Sequence, residues 1–205
     1  MGGDLPFSQK KVYENGVFIE RLRGWFQAGL SGVVLSGVFI STAMGDVPRE
    51  WTGKDVRTGK EHRLIFTQGN TLLVFLSARC PCSLSHLNSL RTLAETYPKV
   101  RFIGVHANRE EPADEVKKEL SWNKVPFPVL EDTDQALANA LGALKTPHAF
   151  LIGSRGGVVY RGGVDDSHDA ARAKNRYLAS ALDAILGGRT PEPNETRALG
   201  CSIAR

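Results

Sequence analysis

Residues 71–82 read TLLVFLSARCPC, and the fold is decided there. Thr71 to Leu76 is an unbroken apolar run, bounded by Gly69 and Asn70 before it and by Ser77 after it. A short run without alternation is what a strand buried on both faces requires, so it reads as a central strand. Immediately beyond, Leu84, Leu87, Leu90, Leu93 and Ala94 recur at three- and four-residue spacing until Tyr97 and Pro98. That periodicity predicts an amphipathic helix stopped by proline. Cys80, Pro81 and Cys82 fall at the junction. The free N–H groups and positive dipole end of a helix entrance favour a thiolate over a thiol, and Arg79 sets a further positive charge next door. Pro81 suits a first helical turn, where its missing N–H has no partner to lose. A solitary cysteine would read as a small buried hydrophobe. The junction and the second cysteine point instead to a nucleophile at Cys80.

Outward from this unit the alternation continues. Residues 100–105 (VRFIGV) form a second strand, residues 113–122 a charged surface helix opening after Pro112, and residues 127–130 a short third strand. A helical stretch at 134–141 follows. Residues 148–152 and 158–160 are apolar runs joined by Gly153, Ser154, Arg155, Gly156 and Gly157, which predicts an antiparallel hairpin. A last helix is expected over 169–186, ending at Gly187 and Gly188. The expected architecture is α/β, a central mixed β-sheet flanked by helices.

Composition sets the class. The chain has 205 residues, 41% of them hydrophobic and 23% charged, which suits a soluble domain and excludes a fibre, a disordered chain and a polytopic membrane protein. Its 26 basic and 22 acidic residues are interspersed, so no nucleic-acid partner is expected. Three cysteines are too few for a disulfide-built scaffold, and their odd number leaves one sulfur unpaired within the chain.

Residues 29–45 carry no charge and follow Lys10, Lys11, Arg21 and Arg23, the order of an export segment. Ser41 and Ala43 have peptidase-site spacing, so residues 1–43 are expected to be a signal peptide cleaved after Ala43 or an N-terminal membrane anchor, with residues 29–45 as the tether. The domain is then 45–190, followed by a cysteine-containing tail at 191–205. The expected location is exported, periplasmic or membrane-anchored facing the periplasm, where disulfides persist.

The order TLLVFLSARCPC, helix, VRFIGVHAN, helix, FPVL, KTPHAFLIG, GGVVYRGG resembles the thioredoxin-like redoxins, in particular their exported thiol-disulfide and alkyl-hydroperoxide-reductase-like branch. The resemblance covers about residues 50–187 and rests on the Cys-Pro step, the Thr146-Pro147 step and the Gly-rich hairpin. It implies a thioredoxin-like fold, a cis Pro147 beside the active sulfur, and Thr146 offering backbone hydrogen bonds to a bound partner. It implies an antioxidant or oxidoreductase role with a redox-active centre, a protein or small-molecule thiol/disulfide substrate, a separate redox partner and no cofactor. The chain departs from the family in two places. Only Pro81 separates Cys80 from Cys82, and Ser83 holds the usual resolving position; a Cys80–Cys82 disulfide would close a small, strained, easily reduced ring. Ser77 stands in for the peroxiredoxin threonine, but Leu73 occupies the proline position, which argues against a thiol peroxidase.

Cys201 lies in TRALGCSIAR, loosely like the Gly-Cys-x-Ile ending of some exported redoxins. From Gly187 the tail can extend more than ~40 Å, enough to return to the junction. Cys201 is therefore a candidate resolving thiol for Cys80 or Cys82. An interchain bridge, a structural disulfide and a free thiol are the other readings. His86, four residues beyond Cys82, opens the alternative of a copper(I)-binding metallochaperone of thioredoxin fold using Cys80, Cys82 and His86, although a surface histidine without a role is the plainer account. His148 is expected near Cys80, and residues 165–168 are expected to cap a helix. The catalytic candidates are thus Cys80, Cys82 and Cys201, with Thr146 and Pro147 binding substrate and no metal ligand assigned.

Overall fold

The computed structural model describes residues 47–205. The expected export segment lies outside the described residues. Among those described, no helix is long and apolar enough to cross a membrane.

The apolar run is strand β3 (Thr71–Leu76), and all six of its residues are buried. It sits at the centre of a five-stranded sheet between β4 (Arg101–His106), parallel to it, and β7 (His148–Ile152), antiparallel to it. β5 (Val129–Glu131) extends the sheet beyond β4, and β8 (Val158–Gly162) closes the other edge, giving the order β5-β4-β3-β7-β8. Successive strand side chains point to opposite faces. Leu72, Val74 and Leu76 accordingly pack with Leu87 and Leu90 of α1 (Pro81–Thr96) and Leu178 and Leu182 of α4 (Tyr177–Leu186). Leu73 and Phe75 face the other way, onto Leu137 and Leu141 of α3 (Ala136–Leu141) and onto Ile203 near the C-terminus. α2 (Ala113–Trp122) opens after Pro112 and contributes Val116 and Leu120 to the first layer. This is a thioredoxin-like fold.

Two parts of the chain depart from the sequence reading. Residues 50–65, which carry no clear strand or helix signal, form the antiparallel pair β1 (Glu50–Lys54) and β2 (Glu61–Ile65). The helix expected over 169–186 is divided into a 3-10 turn at Ala170–Arg172 and α4. Asp166 causes the interruption, accepting hydrogen bonds from the Lys174 amide (2.8 Å) and Asn175 Nδ2 (2.6 Å) and holding the intervening backbone in a loop.

The C-terminal residues double back onto the domain. The Arg161 amide donates to Asn194 O and the Thr196 amide to Arg161 O, both at 3.0 Å. Tyr160 Oη and Thr196 Oγ1 lie 2.7 Å apart. A two-residue strand β9 (Cys201–Ser202) then pairs antiparallel with β6 (Lys145–Thr146), with Cys201 opposite Thr146.

Candidate active site at the entrance of helix α1

Cys80 is the N-cap residue of α1, extended at φ −83° and ψ 113°, and Pro81 occupies the first turn as its geometry favours. The residue is 1% exposed. Its loop is built by hydrogen bonds from below. Ser77 Oγ accepts from the amides of Arg79 (3.2 Å) and Cys80 (3.0 Å), and the Ser77 hydroxyl donates to Glu111. Glu111 Oε2 also accepts from the Ala78 amide (2.8 Å) and faces His106 Nε2 at 3.0 Å. Glu111, whose side chain is buried although it lies just before the charged helix at 113–122, is a site residue that the sequence does not single out. Ser83, in the usual resolving position, is fully buried, and its Oγ accepts from the Ser77 amide at 3.1 Å. It holds the end of β3 in place.

From above, the Cys80 thiol donates to Thr146 O at 2.9 Å, and the Thr146–Pro147 bond is cis. The Cys201 amide points at Cys80 Sγ from 3.4 Å. Burial pushes the Cys80 thiol up. Hydrogen bonds from the Cys201 thiol and from the Ser83 and Cys201 amides outweigh it, and the net shift is down. Thr146 Oγ1 itself is buried with no hydrogen-bond partner. The other two sulfurs move the opposite way. Burial first, then the charge on Cys80, raises Cys82. Burial, the hydrogen bond to Cys80 and the Cys80 charge push Cys201 up to about 11. The three cysteines therefore respond to one another, and Cys80 is the one that ionises most readily. All three are free thiols, with Cys80 buried, Cys82 half-buried and Cys201 exposed.

Several expected contributors act differently. Arg79 supplies no free charge to the sulfur, because its guanidinium is held by Glu115 through Nε (2.9 Å) and Nη2 (2.6 Å) at the surface. His148 is buried, and its Nδ1 accepts from the Leu144 amide at 3.3 Å. Burial and the nearby Arg161 charge lower it to about 4, so it is a neutral packing residue under the cis-proline loop. His86 is neither a surface side chain nor a free ligand. It is 1% exposed, with Nδ1 2.6 Å from Cys82 O and Nε2 3.1 Å from Asp165 Oδ1. Both ring nitrogens have oxygen partners, so the set of Cys80, Cys82 and His86 does not assemble as ligands. Among the described residues no group of three or more His, Cys, Asp or Glu is arranged to hold a metal ion. His168, expected in a cap, lies with Nδ1 3.4 Å from Cys82 Sγ, while Asp169 caps the 3-10 turn through the Ala171 amide.

The tail is fastened on both sides of Cys201. Gly200 has φ +148°, and a Cβ there would overlap the Thr146 carbonyl, the same group that receives the Cys80 thiol. Ile203 is 5% exposed within the second core layer, and its amide donates to Leu144 O at 3.0 Å. The Ala204 amide donates to Asn108 Oδ1 (3.0 Å), and Gln135 Nε2 donates to Ala204 O (2.6 Å). Gly200, Cys201 and Ile203 thus have separate jobs: close approach, sulfur and anchor.

The Redoxin family model matches residues 54–177, from the end of β1 into α4. The chain belongs to the Redoxin family. Similar solved structures include an uncharacterized conserved protein from Geobacillus kaustophilus, 28% identical with a TM-score of 0.70 over 78% of this chain and 90% of that one. A hypothetical protein from Sinorhizobium meliloti 1021 is 27% identical, with a TM-score of 0.69 over 80% of this chain and 94% of that one. The fold is shared with a secreted Mycobacterium tuberculosis disulfide oxidoreductase homologous to E. coli DsbE, at 18% identity and a TM-score of 0.53 over 66% of this chain and 95% of that one. No curated protein matches the chain. Within the Redoxin domain, Cys80, Thr146 and Pro147 lie together. Cys201 comes from beyond the matched region and joins them.

Proposed function

We propose that this Redoxin protein is an exported thiol-disulfide oxidoreductase in which Cys80 is the reactive thiolate and Cys201 its disulfide partner. One observation carries the reading: Cys201 pairs with Thr146, the residue before the cis-proline, and its amide lies 3.4 Å from Cys80 Sγ. A substrate disulfide is opened when the Cys80 thiolate attacks one of its sulfurs, forming a mixed disulfide and releasing the other sulfur as a thiolate. Cys201 then attacks Cys80 Sγ, closing the Cys80–Cys201 bridge and releasing the second substrate thiolate. The substrate gains two electrons and the cysteine pair loses two. The uncharged segment at 29–45 and the secreted fold relative support export.

The test is turnover of a model peptide disulfide by the reduced full chain. Cys80→Ser abolishes it, and Cys201→Ser accumulates a mixed disulfide on Cys80. Turnover that persists in Cys80→Ser overturns the assignment. Export is tested separately, by N-terminal sequencing of the protein from the extracytoplasmic fraction of a bacterial host; retention in the cytosol refutes it.

A further inference from the structure

We infer that the partner that restores the reduced protein attacks Cys201 and not Cys80, so that the two half-reactions pass through two different sulfurs. The inference rests on the Cys80–Cys201 pairing proposed above and adds the surface at which the reductant engages.

Access decides it first. Cys80 is 1% exposed, and the groups covering it are the Thr146 carbonyl and strand β9. In the reduced protein that cover is held by non-covalent contacts alone, so a substrate disulfide reaches Cys80 when the tail lifts. Once the bridge to Cys201 has formed, the same tail is also tied covalently to the sulfur it covers. Cys201, by contrast, is already exposed in the structure, where all three sulfurs are free.

The direction of attack decides it again. Displacement at a disulfide sulfur needs the incoming thiolate in line with the S–S bond, on the side away from the leaving sulfur. At Cys80 that side is the interior, where Ser77, Ser83 and the start of α1 are buried. At Cys201 it is the side turned away from the buried sulfur, toward solvent. The leaving group then also favours this course, because the lower-pKa thiol departs faster. Expelled from the bridge, Cys80 returns to hydrogen bonds from the Ser83 and Cys201 amides that stabilise it as an anion. Lys145, whose Nζ donates to Ser202 Oγ at 3.1 Å, adds positive charge on the approach side, where the attacking species is anionic.

The step balances with a dithiol reductant. One of its thiolates bonds to Cys201 Sγ as the Cys201–Cys80 bond breaks and Cys80 leaves as a thiolate. The second thiol of the partner, deprotonated, attacks its own sulfur in the mixed disulfide and releases Cys201, which takes up a proton. The partner ends as a disulfide, having lost two electrons, and the cysteine pair has gained them.

The test uses the oxidised full chain, in parent and Cys82→Ser forms to exclude migration through the third sulfur. Peptide mapping first establishes the Cys80–Cys201 bridge. The protein is then exposed briefly to glutathione, quenched with acid, alkylated with N-ethylmaleimide and mapped. The expected result is glutathione on the Cys201 peptide and maleimide on Cys80, at roughly tenfold or greater excess over the reverse pattern. Glutathione on Cys80, or equal labelling of the two sites, overturns the inference while leaving the oxidoreductase reading in place. A protein that forms no Cys80–Cys201 bridge on oxidation overturns both.

Discussion

Replacing Ile203 with alanine tests whether the C-terminal strand is a docked cover or a passive end of the chain. Ile203 is 5% exposed and packs with the layer that contains Leu73, Phe75 and Leu141. Truncating a buried isoleucine to alanine costs about 2–5 kcal/mol in a fixed interior. Beside a strand of only two residues the surroundings relax, and the reference state retains some contact, so ~1.5–3 kcal/mol is the fair share. This loss falls on local docking, because opening residues 200–205 leaves the five-stranded sheet intact. The opening equilibrium of the tail should rise roughly 10- to 150-fold, each 1.4 kcal/mol being about a factor of ten. Two assays read it. Amide hydrogen exchange at Cys201 and Ile203, whose N–H groups donate to Cys80 Sγ and Leu144 O, should accelerate by that factor. Alkylation of Cys80 by iodoacetamide in a Cys82→Ser background should accelerate in parallel, since the tail covers the sulfur. Unchanged exchange and alkylation, accompanied by a fall in overall melting temperature, would refute the idea that the tail opens as a local unit.

Further outcomes follow from the same contacts. The pH profile of Cys80 alkylation should have its midpoint below that of a free thiol, about 8.5, and should move up in Cys201→Ala, which removes the donor that most lowers Cys80; an unmoved midpoint counts against the coupling. His148 is lowered from 6.5 to about 4, so the unfolded chain binds the extra proton first. Its contribution is fully present above pH 6.5 and lost as pH falls toward 4, by about 3 kcal/mol at most. In His148→Gln, which keeps an acceptor for the Leu144 amide, stability measured by urea titration should vary less over that window. Glu111 is lowered too: burial opposes this, and the hydrogen bonds from His106, Ser77 and Ala78 prevail. Its stabilisation is present above the unfolded value, ~4.5, and lost as pH falls through the lower folded value. Glu111→Gln should therefore flatten the acid limb there, and an unaltered limb would show that the carboxylate is not what holds the Cys80 loop.

What was legible in the sequence was local. The run at 71–76 and the leucine spacing after Cys82 are read within one window, and they fixed a buried strand, a helix and the sulfur between them. Thr146-Pro147 and the Gly156 turn are equally short signals. The β1–β2 pair gave none, because Glu50, Thr52, Lys54, Glu61 and Arg63 are exposed and Gly53 interrupts the apolar positions. Glu111 was hidden by its neighbours, since only the tertiary position of β4 brings that residue beneath Ser77. The contact between Cys201 and Cys80 spans 121 residues. A lone isoleucine in a polar tail has no period to betray it, yet Ile203 fixes where the strand lands. His86 shows the converse: helical spacing placed it one turn from Cys82, but whether an imidazole is a ligand or a buried strut depends on Asp165, which arrives from 79 positions away.

The choice between Cys82 and Cys201 as partner of Cys80 turns on timing and reach. Cys201, pushed up to about 11, is a weak nucleophile, and Cys82 is raised as well. For both thiols part of that elevation comes from the charge and hydrogen bonding of Cys80. When Cys80 is captured in a mixed disulfide its charge disappears, and each thiol becomes easier to ionise at the moment a resolving attack is needed. Electrostatics therefore gates both and selects neither. Geometry selects: Cys201 is held opposite Thr146 by strand pairing, whereas Cys82 is joined to Cys80 through Pro81, and bridging them closes a ring too small for relaxed disulfide geometry. Cys82→Ser should consequently leave formation of the Cys80–Cys201 bridge within about threefold of the parent rate, less than 1 kcal/mol in barrier. In oxidised Cys201→Ser, by contrast, the adduct on Cys80 should persist. Rapid closure of a Cys80–Cys82 bridge in that variant, matching the parent rate, would show that the proline-bridged pair resolves the adduct unaided and that the tail serves only as a cover.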